Sequence, residues 1–483
     1  MSRLGSIAVA LVPLLILSPA KADAATKPGV SAKVARDTLT VTGSPKADKI
    51  ILRNGRHDTL EVDAGGSSAA EFRFERATFK QIVVRVGGGG DRVTVGDRVT
   101  ATTVHGGAGS DRVLVIGSAR PDSLLGASAG RQYSLSGRAI GVRDVETLAI
   151  DPRGGADELV LGAVNRTGVR ELELILGRDG ARDEVRLHGT QGPDSFTVAG
   201  KGAKFNVDAP GARLSASGAD PGSDRLTIFA QAGADVISAA GLDSGVLLTA
   251  SGDFGDDVVT GSPGDDTLDG GEGTDTLTGG GGADVVAGGH GNDSADLGAG
   301  GDEYRWEPGD GDDRIEGGDG PDRIAAGGTD APDDLTVTEA GSRLRVARGD
   351  GTADAGAIER VDLAGRGGAD RMTVNGTDGD DAIAVSGDAA AVSITRPVPV
   401  TLAQPEPGDH LIVNGHAGND TIDASALAAG AIALTLDGGA GDDTLTGGAG
   451  DDLLVGGPGD DRMFGGPGND SFDTSEGSDT AVQ

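Results

Sequence analysis

One residue type recurs in this sequence at a spacing that could hold a metal ion. From Gly252 the chain divides into nine-residue blocks, GDFGDDVVT, GSPGDDTLD, GGEGTDTLT, GGGGADVVA, GGHGNDSAD and LGAGGDEYR; after Trp306 and Glu307 it resumes as PGDGDDRIE and GGDGPDRIA. A second run starts at Gly438 with GGAGDDTLT, GGAGDDLLV, GGPGDDRMF, GGPGNDSFD and TSEGSDTAV, and a lone GHAGNDTID precedes it at Gly415. The sixth position is Asp in every block: Asp257, Asp266, Asp275, Asp284, Asp293, Asp302, Asp313, Asp322, Asp420, Asp443, Asp452, Asp461, Asp470 and Asp479. With no Cys in the chain, disulfides, thiolate zinc sites and cysteine nucleophiles are excluded, and any metal must be held by oxygen. Carboxylates joined by turn carbonyls suit Ca²⁺, which takes about six to eight oxygens in an adaptable geometry, better than Mg²⁺ with its strict octahedron.

The rest of each block must position these carboxylates. Gly at positions one, two and four permits positive φ and close backbone approach, so six residues can form a tight turn with converging carbonyls. The last three residues then form a short strand in which only position eight points inward. That position carries Val259, Leu268, Leu277, Val286, Tyr304, Ile315, Ile324, Leu445, Leu454, Met463 and Phe472. Two blocks make one coil, and a short fixed period means a solenoid.

The blocks resemble the repeats-in-toxin, or hemolysin-type, calcium-binding nonapeptide of secreted bacterial proteins, whose fold is a parallel β-roll. The resemblance implies that turns n and n+2 sandwich a Ca²⁺ between their position-six carboxylates. The implied pairs are Asp257 with Asp275, Asp266 with Asp284, Asp275 with Asp293, Asp284 with Asp302, Asp293 with Asp313 and Asp302 with Asp322. In the second run they are Asp443 with Asp461, Asp452 with Asp470, and Asp461 with Asp479. Roughly nine ions follow, bringing about +18 charges.

Those charges matter because the chain is strongly acidic. Its 41 Lys+Arg against 76 Asp+Glu give a formal charge of −35, a field that repels nucleic acid and anionic lipid and attracts cations. Of 483 residues, 86 are Gly and 2% are aromatic, so a conventional thick core is not expected. Ser2 and Arg3, the apolar run Leu4 to Ser18, and Ala20 and Ala22 read as a signal peptide cleaved near Asp23 or Ala25, within residues 1–24. The run is too short for a membrane span, and no second one follows.

Outside the two runs the same grammar persists in weakened form. A G-[ST]-x-x-x-D-x-apolar opening recurs at Gly43, Gly117, Gly189, Gly328 and Gly376, and Gly-Asp turns precede β-branched segments at Gly87, Gly106, Gly154 and Gly367. The stretches HGTQGPDSFTVAG to GDFGDDVVTG and NGTDGDDAIAVSG to GGAGDDTLTG match each other, as expected of a duplicated module. GGAGSDRVL at 106–114 fits the block, but no neighbour lies nine or eighteen residues away. Asp111 is therefore expected to stand in a surface turn without a stacked partner.

The catalytic signatures of proteins with such repeats are weak or missing here. None of His57, His105, His188, His290, His410 and His416 forms an H-E-x-x-H pair, and they read as surface or turn residues. One G-x-S-x-G occurs, centred on Ser128, but a broken polar segment follows it where an elbow needs a helix. Arg348-Gly349-Asp350 spells the adhesion tripeptide and reads as a solvated turn.

The expected architecture is all-β: a signal peptide at 1–24, a degenerate β-solenoid at 25–251, a calcium β-roll at 252–326, a second degenerate region at 327–414 and a terminal β-roll at 415–483. The expected function is calcium binding with a structural role outside the cell, without enzymatic activity. The alternatives are a cell-surface adhesin or matrix component, using the degenerate coils to bind an extracellular ligand, and a repeat-linked hydrolase.

Overall fold

The computed structural model describes residues 25–27, 29–65, 71–99, 101–126, 132–135, 138–162, 169–243 and 245–483. The expected signal peptide and Ser128 lie outside these residues. Two large sheets face each other, one of 24 strands and one of 23, and the chain passes repeatedly from one to the other. Among the described residues the helical content is one 3-10 turn, Arg76–Thr78.

The block pattern explains the alternation. Leu247–Phe254, Asp266–Gly273 and Val285–Gly291 stack in parallel in one sheet, while Val236–Asp243, Val258–Thr260, Thr276–Gly281 and Ser294–Ala299 stack in the other. Thr267 pairs with Val285, and Thr276 with Ser294, so each coil takes two blocks as the period requires. Position eight fills the space between the sheets: Val259, Leu268, Leu277, Val286, Ile315 and Ile324 are buried. Their neighbours at position seven face out, as in Val258 and Leu453. The core is thus two strands thick but runs the length of the molecule, and each buried aliphatic side chain contributes about 1.5–3 kcal/mol. Trp306 and Tyr304, both 0% exposed, are its bulkiest members.

The degenerate regions use the same coil with extra strands added. After each G-[ST] opening the chain makes a three-stranded antiparallel excursion before rejoining the stack. Ser195–Lys201, Lys204–Ala209 and Ala212–Ser217 form one. Asp334–Ala340, Arg343–Arg348 and Gly351–Gly356 form another. A third comprises Ala382–Asp388, Ala391–Thr395 and Val400–Ala403. Lys49–Asn54 opens the same arrangement after Gly43, and Ser123–Gly126 does so after Gly117. The outer strands remain parallel to adjacent coils, as where Ser195 pairs with Val236 and Arg213 with Glu171. Both sheets also run on across residues 251 and 252: Leu247–Phe254 pairs on one side with Arg225–Phe229 and on the other with Asp266–Gly273, and in the second sheet Val236–Asp243 pairs with Val258–Thr260.

Candidate metal centres

At the turns, the position-six aspartates stack. Asp257 N–H donates to Asp275 Oδ1 at 2.7 Å, Asp275 N–H to Asp293 Oδ1 at 2.8 Å and Asp293 N–H to Asp313 Oδ1 at 3.0 Å. On the opposite edge Asp266 pairs in this way with Asp284, Asp284 with Asp302 and Asp302 with Asp322, at 2.7–2.9 Å. In the second array Asp420 pairs with Asp443, Asp443 with Asp461, Asp461 with Asp479 and Asp452 with Asp470. Every pair expected from the sequence is brought together. Those interrupted by Trp306 and Glu307 simply span 20 residues instead of 18.

The second carboxylate oxygen separates these residues into two groups. In Asp257, Asp275, Asp284, Asp293, Asp302, Asp322, Asp420, Asp443, Asp461 and Asp479, Oδ2 is buried and has no hydrogen-bond partner among the described residues. It points at the position-one residue of its own turn, where the carbonyl of the next coil also converges: a Cβ on Gly252 would strike both Asp257 Oδ2 and the Gly270 carbonyl. Gly252 avoids both groups; in the turns of Asp302 and Asp479 the same position is held by Leu297 and Thr474. The other four are engaged. Asp266 Oδ2 accepts the Ser262 N–H, Asp452 Oδ2 the Gly448 N–H at 2.7 Å, Asp313 Oδ2 the Tyr304 hydroxyl at 2.8 Å and Asp470 Oδ2 the Gln483 amide at 3.2 Å.

Self-capped turns like that of Asp266 open every ladder. Ser44, Ser118, Thr190, Thr329 and Thr377 each donate their N–H to the Oδ2 of Asp48, Asp122, Asp194, Asp333 and Asp381. These are the recurrent G-[ST] openings. One sheet edge carries ladders from Asp48 to Glu146, Asp194 to Asp313, Asp333 to Asp409 and Asp452 to Asp470. The other carries Asp122 to Asp224, Asp266 to Glu359 and Asp381 to Asp479. Each break on one edge lies opposite an unbroken ladder on the other. Spacing between rungs ranges from 18 to 43 residues, yet the stacking is kept.

Burying a file of carboxylates has an electrostatic cost. Desolvation pushes Asp284 and Asp293 up to about 7, and Asp275 and Asp443 to about 6, with neighbouring aspartates adding to the rise. The N–H of the preceding aspartate only partly offsets it. Among the described residues no three His, Asp or Glu side chains form a metal-holding group. The ladders bring carboxylates together in pairs, so the remaining oxygens of any site are main-chain carbonyls. An oxygen-only, anionic, part-completed cage of this kind fits Ca²⁺.

Two expectations need correction. Asp111 does have stacked partners: its Oδ1 accepts the Asp91 N–H at 2.8 Å and its own N–H donates to Glu146 Oε2 at 2.7 Å. At 2% exposure it is not in a surface turn. A fixed nine-residue period hides this because these coils are 20 and 35 residues long. Of the tripeptide, Gly349 and Asp350 do form an exposed turn, but Arg348 ends the strand Arg343–Arg348 and is buried. Its guanidinium lies 4.6 Å from the Trp306 ring centroid, donates to the Gly327 and Glu307 carbonyls and pairs with Asp350.

Sequence reasoning also passed over Asp235, whose Oδ2 is buried and unpartnered like those of the arrays. Its N–H donates to Asp257 Oδ1 at 2.7 Å, extending the first array by one coil. Asp420 is its counterpart in the duplicated stretch and stacks on Asp443. The turn at Asp235 lacks the first two glycines; Gln231 takes the positive φ of 81° that His416 takes at 76°. Aligning the two halves of the duplication would have found it.

Comparison with known proteins agrees with this geometry. The family model of the RTX calcium-binding nonapeptide repeat matches residues 249–277, 269–304, 308–330, 412–426, 435–463 and 446–481. No curated protein matches the chain. Among the described residues no helix is long and apolar enough to cross a membrane. The two arrays of stacked aspartates are therefore RTX calcium-binding nonapeptide repeats, in several copies, wound as a β-roll.

Proposed function

We propose that this is a secreted calcium-stabilised β-roll with a structural role outside the cell and no catalytic activity of its own. The observation that carries the reading is the row of buried Oδ2 atoms left without partners in both arrays. An unpaired buried carboxylate is among the least favourable groups a fold can contain, and a cation in the turn stack removes that cost. Asp257, Asp275, Asp284, Asp293, Asp302, Asp322, Asp420, Asp443, Asp461 and Asp479 are the ligands with a free oxygen. Asp266, Asp313, Asp452 and Asp470 contribute through Oδ1 or serve as the fixed ends of their ladders. A count of about nine ions keeps two carboxylates per ion. Secretion by a cleaved signal peptide delivers the chain to a medium where Ca²⁺ is abundant.

A cage built between coils does not exist in the unfolded chain, so binding free energy becomes folding free energy. Extracellular sites bind at about 10⁻⁴ to 10⁻³ M, which keeps the arrays unfolded at cytosolic calcium and folds them after export. Far-ultraviolet circular dichroism of the mature chain is expected to gain strand signal on adding Ca²⁺ and lose it with chelator. An identical spectrum in both conditions would refute the coupling.

A further inference from the structure

The family match begins at residue 249, but a turn pair of the same build lies far ahead of it, at residues 86–91 and 106–111. Gly87 and Gly89 have φ of 104° and 107°, and Gly107 and Gly109 have 99° and 145°. Gly271 and Gly273 of the first array have 103° and 148°. Gly89 N–H donates to the Ala108 carbonyl at 2.8 Å, as Gly255 N–H does to Glu272 at 2.7 Å. A Cβ on Gly107 or Gly109 would strike the carbonyl of Gly87 or Gly89, as one on Gly271 or Gly273 would strike that of Asp253 or Gly255. Asp91 and Asp111, 1% and 2% exposed, are linked as array rungs are, and the Oδ2 of each is buried without a partner.

We infer that these two turns form a further Ca²⁺ site, held by Asp91 and Asp111 together with carbonyl oxygens of the two glycine turns. The inference rests on the reading that such stacked turns hold calcium in the arrays. The site is single because the ladder closes on both sides. Below it stands Asp48, capped by Ser44; above it Glu146 replaces the aspartate, in a turn whose positive φ falls at Asp144. Burial raises both carboxyls, and the charge of Asp111 adds to the rise at Asp91. The role of such an ion is to fasten the N-terminal coils, where tandem repeats are missing and one coil spans 43 residues from Asp48 to Asp91.

Hydrogen exchange read by mass spectrometry on the full mature chain, with Ca²⁺ alone as the probe, tests the site. Peptides covering 86–111 are expected to gain protection with Ca²⁺ but not with Mg²⁺. The double variant Asp91→Asn/Asp111→Asn, which keeps the Oδ1 acceptors, should lose that gain and bind one ion fewer by native mass spectrometry, while the arrays keep their response. Asp48→Asn should change neither readout. If 86–111 ignores calcium while the arrays respond, or if the double variant binds as many ions as the parent, this site is overturned and the array reading stands. If the arrays are also indifferent, both fail.

Discussion

At Asp443 the two oxygens of one carboxylate meet different surroundings: Oδ1 accepts the Asp420 N–H at 2.7 Å, while Oδ2 is buried and unpartnered. That division gives each residue a testable weight. Asp461 stacks on both Asp443 and Asp479, and its free Oδ2 is available to an ion, whereas Asp452 opens its ladder with Oδ2 already held by Gly448. Asp461→Ala is therefore expected to remove about two ions in a calorimetric titration, and Asp452→Ala at most one. Equal losses would show that the capped oxygen makes no difference. The sequence made the aspartates legible because their period is strict. It did not reveal which oxygen is free, because that depends on where the position-two N–H points and not on residue type alone: Gly448 turns its N–H back on Asp452, whereas Ser475 donates to Asp473 and leaves Asp479 Oδ2 free. The hydroxyls of Ser262 and Thr377 are part of the same cap.

At the scale of the elements, the three-stranded excursions explain why the degenerate regions look irregular. Two added strands lengthen a coil without moving its turns, so a search at fixed period loses register while the ladder keeps it. The openings and the β-branched segments were readable as local pattern; which distant turn stacks on which was not, since nothing in 35 or 43 residues of intervening sequence encodes the count. The insertion at Trp306 shows the same logic at small scale. Two extra residues place an indole in the core, and Arg348 of an excursion strand covers it while satisfying the Gly327 and Glu307 carbonyls. Arg348→Ala leaves those carbonyls without their donor and uncovers the ring, at a cost of about 3 kcal/mol. Thermal denaturation in Ca²⁺ should register it as a clearly lowered midpoint. A midpoint equal to the parent's would mean that the exposed Asp350 end, not the buried Arg348, carries the tripeptide's interactions.

For the whole molecule, a formal charge of −35 and a buried file of carboxylates act in the same direction. An unfolded Asp titrates near 3.9, while Asp284 and Asp293 in the fold titrate near 7, so the folded chain holds protons that the unfolded chain releases. The stability that these two groups lend the metal-free fold is thus fully present below about pH 4 and is lost as pH rises through about 7. In chelator the melting midpoint should fall as pH rises from about 4 to about 7; in saturating Ca²⁺, which displaces those protons so that neither folded nor unfolded chain holds them, it should stay nearly level between about pH 5 and pH 8. A midpoint in chelator that climbs with pH would contradict the burial of these groups. The staggered ladder ends have a mechanical consequence. As in a brick wall whose joints never line up from one course to the next, a cross-section through a gap on one edge always passes through intact stacking on the other. A crack opened at Asp333 meets the continuous run from Asp266 to Glu359, and one at Asp381 meets the run from Asp333 to Asp409. Among the described residues no coil has both ladders interrupted, so the stack of coils should resist pulling as one piece over a length greater than that of any single ladder.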